Sequence, residues 1–177
     1  MDFPVIGSPS SVLISPYSEL ALGTEYAAVA TAAPASLAIA TINLAKFYPF
    51  YLPEPMIVKK LWWYNGATAN GNTDVGIYDE FGTKLISSGA VAQGAINILQ
   101  EFDIADTWIG RGRFYMGIST SSATATYFSN VVSLPLAKAF GWCQMATAHP
   151  LPAVATFAAL AAAVQPVFGA SMRVLVV

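Results

Sequence analysis

The chain has 177 residues, 55% of them hydrophobic and only 10% charged, with ten acids against eight bases and a net charge of −2. So sparse a charge, with Lys59-Lys60 and Arg111/Arg113 as isolated pairs, excludes a phosphate-neutralising nucleic-acid surface, and a single cysteine, Cys143, excludes a disulfide framework within the chain. A folded chain of this size exposes roughly 8,000 Å², or about one charge per 450 Å². A surface that poor in charge carries apolar patches, and such patches mark association.

Residues 1–35 read as an extended arm. Pro4, Pro9, Pro16 and Pro34 forbid a long helix. Within the arm, VLIS (12–15) and TEYAAVAT (24–31) can pair as short strands. The start, MDFPVIGSPSS, has an acid at position 2 and no basic segment ahead of an apolar run, so no leader is expected. The folded domain is expected over 36–177.

Residues 36–52 alternate at period two, with both faces partly apolar, as in a sandwich strand that is also covered outside. Pro49, Pro53 and Pro55 are expected to break that run. Residues 56–66 form the next strand, with Ile57, Lys59, Leu61 and Trp63 on one face and Val58, Lys60, Trp62 and Tyr64 on the other. Asn65-Gly66 then reads as a turn, because both residues tolerate positive φ.

The run NTDVGIYDEFGTKLISSG (72–89) reads as a β-hairpin. Val75 and Ile77 share one face, and Asp74, Gly76 and Tyr78 the other. Asp79 opens the turn as an acceptor of backbone N–H groups, Glu80 sits at the solvated tip, and Gly82 takes a left-handed position. Further strands are expected at 96–104 and 113–120, with the DTWIGRG segment as a loop between them. A polar turn and short strand follow at 121–130, and MRVLVV (172–177) closes the domain. Residues 156–164, which include five alanines, are the one competing helix. The late apolar stretch, 151–164, is too short to span a bilayer.

The chemistry is sparse. Asp74, Asp79 and Glu80 have no EF-hand spacing, so no calcium site is expected. His149 is the one histidine, too few for zinc, and it is expected to make a structural contact in a turn. Cys143 is expected to be a small buried hydrophobe. No G-x-S-x-G, S-x-x-K, P-loop or G-x-G-x-x-G occurs. No catalytic, cofactor-binding or metal residue is therefore expected, and a hydrolase would have to draw on Asp74, Asp79 or Glu101. The adjacent aromatics Trp62, Trp63 and Tyr64 are candidates for an interface or a glycan-stacking platform. Alternation puts one indole in the core and the other outward.

IVKKLWWYNGATANGNTDVGIYDEFGTKLISSG, followed about twenty residues later by GRGRFYMGIS, resembles small β-sandwich proteins among the virion genes of tailed bacteriophages. The similar positions are Asn65 and Gly66, Asp74 to Asp79, Gly82, and Arg113 to Tyr115, and the likeness covers residues 57–120. It implies a structural role in a virus particle: capsid decoration, head fibre or tail component. It carries over no catalytic residue. The expectation is thus an all-β, jelly-roll-like antiparallel β-sandwich with an N-terminal arm and eight to ten strands. It would act in the virion as a non-enzymatic homo-oligomer, as a trimer, docked on the major capsid protein or on tail proteins. No cofactor, nucleic acid or membrane is expected. The alternative is a carbohydrate-binding module that attaches the particle to a host glycan.

Overall fold

The alternating segments become strands, and the strands stack into sheets with one shared interior. The computed structural model describes residues 11–14, 35–39, 41–162 and 164–174. A four-stranded sheet has the order β1 (Ser11–Ile14), β14 (Phe168–Val174), β4 (Met56–Tyr64), β8 (Leu99–Ile109). The large sheet runs β12 (Ala158–Ala159), β11 (Cys143–Met145), β3 (Ala45–Leu52), β9 (Gly112–Thr120), β5 (Asn72–Asp79), β6 (Lys84–Ser87), and β7 (Val91–Ala92) also pairs with β5. A small sheet has the order β13 (Val164–Pro166), β10 (Thr126–Val131), β2 (Ala35–Ala38). The pairings in all three are antiparallel.

The fold is an all-β sandwich, as the alternation requires. Val58, Leu61, Trp63, Phe168 and Met172 from the four-stranded sheet meet Tyr48, Phe50, Val75, Ile77, Met116 and Ile118 from the large sheet in one buried cluster. A second cluster lies on the outer face of the large sheet, where Ala45, Phe47, Tyr78 and Cys143 are covered by Ala148, Leu151 and Ala155. Phe47 meets Tyr78 and Phe157 edge-on, with ring centroids 5.2 and 5.1 Å away. Residues 146–160, mostly irregular, form this covering strap. The apolar residues on both faces of 45–52 are explained by it, and Cys143 is buried as expected.

Several boundaries differ from the sequence reading. Residues 36–52 are not one strand: Asn43, at φ 58°, turns the chain between β2 and β3, which join different sheets. Pro49 does not break β3. Its neighbour β11 ends opposite Phe47, so beyond that point one side of β3 is an edge, where proline is tolerated. Lys59 is unpaired in both ladders of β4, and this bulge shifts the alternation so that Val58 and Leu61 both face the core. Asn65-Gly66 is not a positive-φ turn: Asn65 bridges to Tyr127, and Gly66 is needed because a Cβ there would sit 2.3 Å from Ser36 Oγ. β8 starts at Leu99 rather than at residue 96, and it runs through Asp106–Ile109, which the sequence assigned to a loop.

The helix also falls elsewhere. The alanine-rich 156–164 carries β12, and the helix is α1 (Leu134–Ala139), with Pro135 in its first turn, where proline's missing N–H costs nothing. The hairpin, β9 with Phe114, Met116 and Ile118 inward, and β10 hold as expected. Of the arm's two strands, β1 matches 12–15 closely, while 24–31 lies outside the described residues, as do residues 175–177 of the closing strand.

Candidate functional site

The carboxylates of the 72–89 hairpin have three separate fates. Asp79 Oδ1 accepts the backbone N–H of Phe81 at 3.0 Å and of Thr83 at 2.8 Å, with Gly82 at φ 87°, so it builds the turn. Glu80 is exposed at the tip. Asp74 is fully buried on the outer face of β5, beneath the strap. Its Oδ2 accepts the Leu151 N–H at 2.9 Å, and the Ser88 hydroxyl lies 3.3 Å from Oδ1. Burial raises its pKa above the ordinary carboxylate range, against the pull of the Leu151 N–H and of Lys84.

Other side chains of the same face hold the strap as well. Tyr78 donates its hydroxyl to the Pro152 carbonyl at 2.7 Å, and Lys84 Nζ donates to the Leu151 carbonyl at 2.7 Å. Ser119 Oγ and His149 Nδ1 lie 3.0 Å apart. Serine, histidine and aspartate thus gather in one place, although sequence spacing gave no sign of it. They do not form a relay, since the Asp74 bonds go to Leu151 and Ser88 rather than to the imidazole, and Ser119 is 0% exposed. The arrangement anchors a loop. Glu101, the third carboxylate a hydrolase could draw on, lies on the opposite sheet, where it accepts from Lys60 Nζ at 3.3 Å. Among the described residues no group of three or more His, Cys, Asp or Glu is placed to hold a metal ion, and no helix is long and apolar enough to cross a membrane.

Lys46 is a buried cation that the alternation did not single out. It stands on the interior side of β3, next to Tyr48 in alternation, and its Nζ donates to the carbonyls of Ala162 and Val164 at 3.1 Å each. Burial lowers its pKa to about 8. These two bonds tie the chain just past the strap, at Ala162 and at the start of β13, to β3.

The aromatic candidates are also redistributed. Trp63 is in the core, with Nε1 donating to Asn65 Oδ1 at 2.9 Å. One of the two indoles is expected to face outward, but Trp62 is also buried, only 4% exposed, and Gly169 stands directly across the ladder from it with no side chain to compete for the space. Tyr64 is half-buried, with its ring 5.5 Å from that of Phe128. The outward indole is Trp108, 62% exposed on β8, hidden from the sequence reading by its assignment to a loop.

The open surface carries both ionic and apolar groups. Lys59, Lys60, Glu101, Asp103 and Asp106 form ion pairs together on the β4–β8 ribbon. Large apolar side chains also stand in solvent, Leu99 and Trp108 on the same ribbon and Tyr51, Ile96, Ile98 and Val154 away from it, with Phe81 at 81% the most exposed. No family model, no curated protein and no solved structure matches the chain.

Proposed function

We propose that this chain is a non-enzymatic structural component of a virus particle, which associates with copies of itself and docks on a capsid or tail lattice. The observation that supports it best is the exposure, among the described residues, of ten large apolar side chains on a surface whose described ion pairs sit on one ribbon. Apolar surface in that amount drives association, and obligate interfaces are more apolar than ordinary surface. The resemblance of residues 57–120 to phage virion sandwiches supplies the setting.

Host attachment through a glycan is a second reading, favoured by Trp108: an exposed indole on a strand is a ready stacking platform for a sugar ring. One set of measurements separates the two. Light scattering at micromolar concentration is expected to give a mass above 18.7 kDa for the purified chain, and a clean monomer would sink the assembly reading. Glycan-array binding that disappears in Trp108→Ala, with the mass unchanged, would move the function to attachment.

A further inference from the structure

We infer that the apolar patch formed by Tyr64, Ile96, Ile98, Leu99 and Phe128 is the self-association face, packing across a symmetry axis on the same patch of a second copy. This rests on the assembly reading above and names its interface. The five residues are neighbours: Tyr64 pairs with Leu99 across the β4–β8 ladder, its ring meets Phe128, and its hydroxyl donates to the Asn97 carbonyl at 3.0 Å. Ile96 is 51% exposed, and Ile98 and Leu99 are exposed beside it.

The display is rigid. Asn65, fully buried, donates from Nδ2 to the Ala95 carbonyl at 2.9 Å and to Gln100 Oε1 at 3.0 Å. Gln100 Oε1 also accepts the Gly94 N–H at 2.7 Å, and Gln100 Nε2 donates to the Ala92 carbonyl at 2.9 Å. The backbone closes the frame, Asn65 N–H to the Ile98 carbonyl at 2.8 Å and Asn97 N–H to the Gly66 carbonyl at 2.9 Å. Asn97 itself is held at φ 55°, a left-handed conformation that few residues other than glycine adopt. A buried Asn65 amide, a half-buried Gln100 amide and a left-handed Asn97 therefore hold isoleucines out in water. A loop selected only for stability would fold them inward. A face ordered before contact loses little entropy on binding, which is the condition for a strong interface core.

A second copy is the occupant that the charges favour. Across a symmetry axis a surface meets itself, so any charge on it meets a like charge. None of the five residues is charged, and the nearby ionic groups lie further along the β4–β8 ribbon, at Lys60, Glu101 and Asp103. A patch on the order of 400 Å² is about half of what each partner gives to a standard interface of ~800 Å² a side. Continuity supplies the rest: Leu99 begins β8, which ends the four-stranded sheet and has no strand on its far side among the described residues.

The test compares Ile98→Lys and Phe128→Lys with Phe81→Lys, a control at the hairpin tip. In light scattering of the full chain, both patch variants are expected to fall to 18.7 kDa while the control keeps the parent's mass. Ile98→Cys adds a readout that does not depend on tolerating a lysine. Under oxidation it is expected to give a disulfide-linked pair of chains, and Phe81→Cys is not. Patch variants that keep the parent's mass, with no Ile98→Cys pair, would overturn this interface and leave self-association standing. A parent that is itself monomeric would overturn both.

Discussion

The two outer faces of the sandwich start from similar alternating strands and end in opposite states. The outer face of the large sheet is closed: Phe47, Tyr78 and Cys143 lie under the strap, and the charge there, Asp74, is buried and bonded to the strap's backbone. The outer face of the β4–β8 ribbon is open, and its charges pair with each other in water. The difference is what the chain supplies to lie on each face. Residues 146–160 give the large sheet a cover with apolar residues and backbone donors. A carboxylate can be buried there only because Leu151 brings an N–H to it. On the ribbon, water fills that role, and the same chemical groups contribute little to stability.

The contrast should appear first in deletion of side chains. Phe47→Ala, under the strap, is expected to cost ~3–5 kcal/mol in chemical denaturation, whereas Trp108→Ala on the ribbon should stay within about 0.5 kcal/mol. Similar losses at both sites would mean that the strap is not a core layer. The carboxylates give the next largest difference. Asp74→Ala leaves the Leu151 N–H buried without its acceptor, at a cost of about 1–3 kcal/mol, and should speed proteolysis within 146–160. Glu101→Gln should leave the denaturation midpoint unmoved. Equal effects from the two would erase the distinction between a buried anchor and a surface pair.

The smallest expected effect is the pH response of the strap. Burial lowers the pKa of His149 below 6.5, against the opposing pull of Asp74 and a bond to Ser119. The unfolded chain therefore binds a proton at His149 more readily than the folded one, so this stabilisation is present above pH 6.5 and is lost as pH falls through the lower folded value. The raised pKa of Asp74 works the other way at more acidic pH. His149 is the chain's one histidine, so His149→Gln should flatten the decline just below pH 6.5. A decline unchanged in the variant would assign it to other groups.

Much of this architecture was legible locally. The 72–89 hairpin, its Asp79 turn and Gly82 followed from residue types that act within a few positions of themselves, and the inward faces of β5 and β9 followed from strict alternation. Where alternation failed, a long-range cause intervened. The Lys59 bulge moved Val58 and Leu61 into one core, and Gln100 and Asn65 turned residues 96–98 out of the β8 strand. The candidate site was hardly legible. Asp74 and Leu151 are 77 positions apart, Ser119 and His149 are 30 apart, and no local pattern reports that such residues touch.

By itself, the amino-acid sequence determined that this is an all-β sandwich with too few charges to cover its surface, because side-chain period and composition are properties of short stretches. Only the tertiary structure decided which carboxylate is buried, which tryptophan faces water and which isoleucines are held outward. Burial depends on what the rest of the chain brings to a strand's second face, and that is set by sheet order and by the path of the strap.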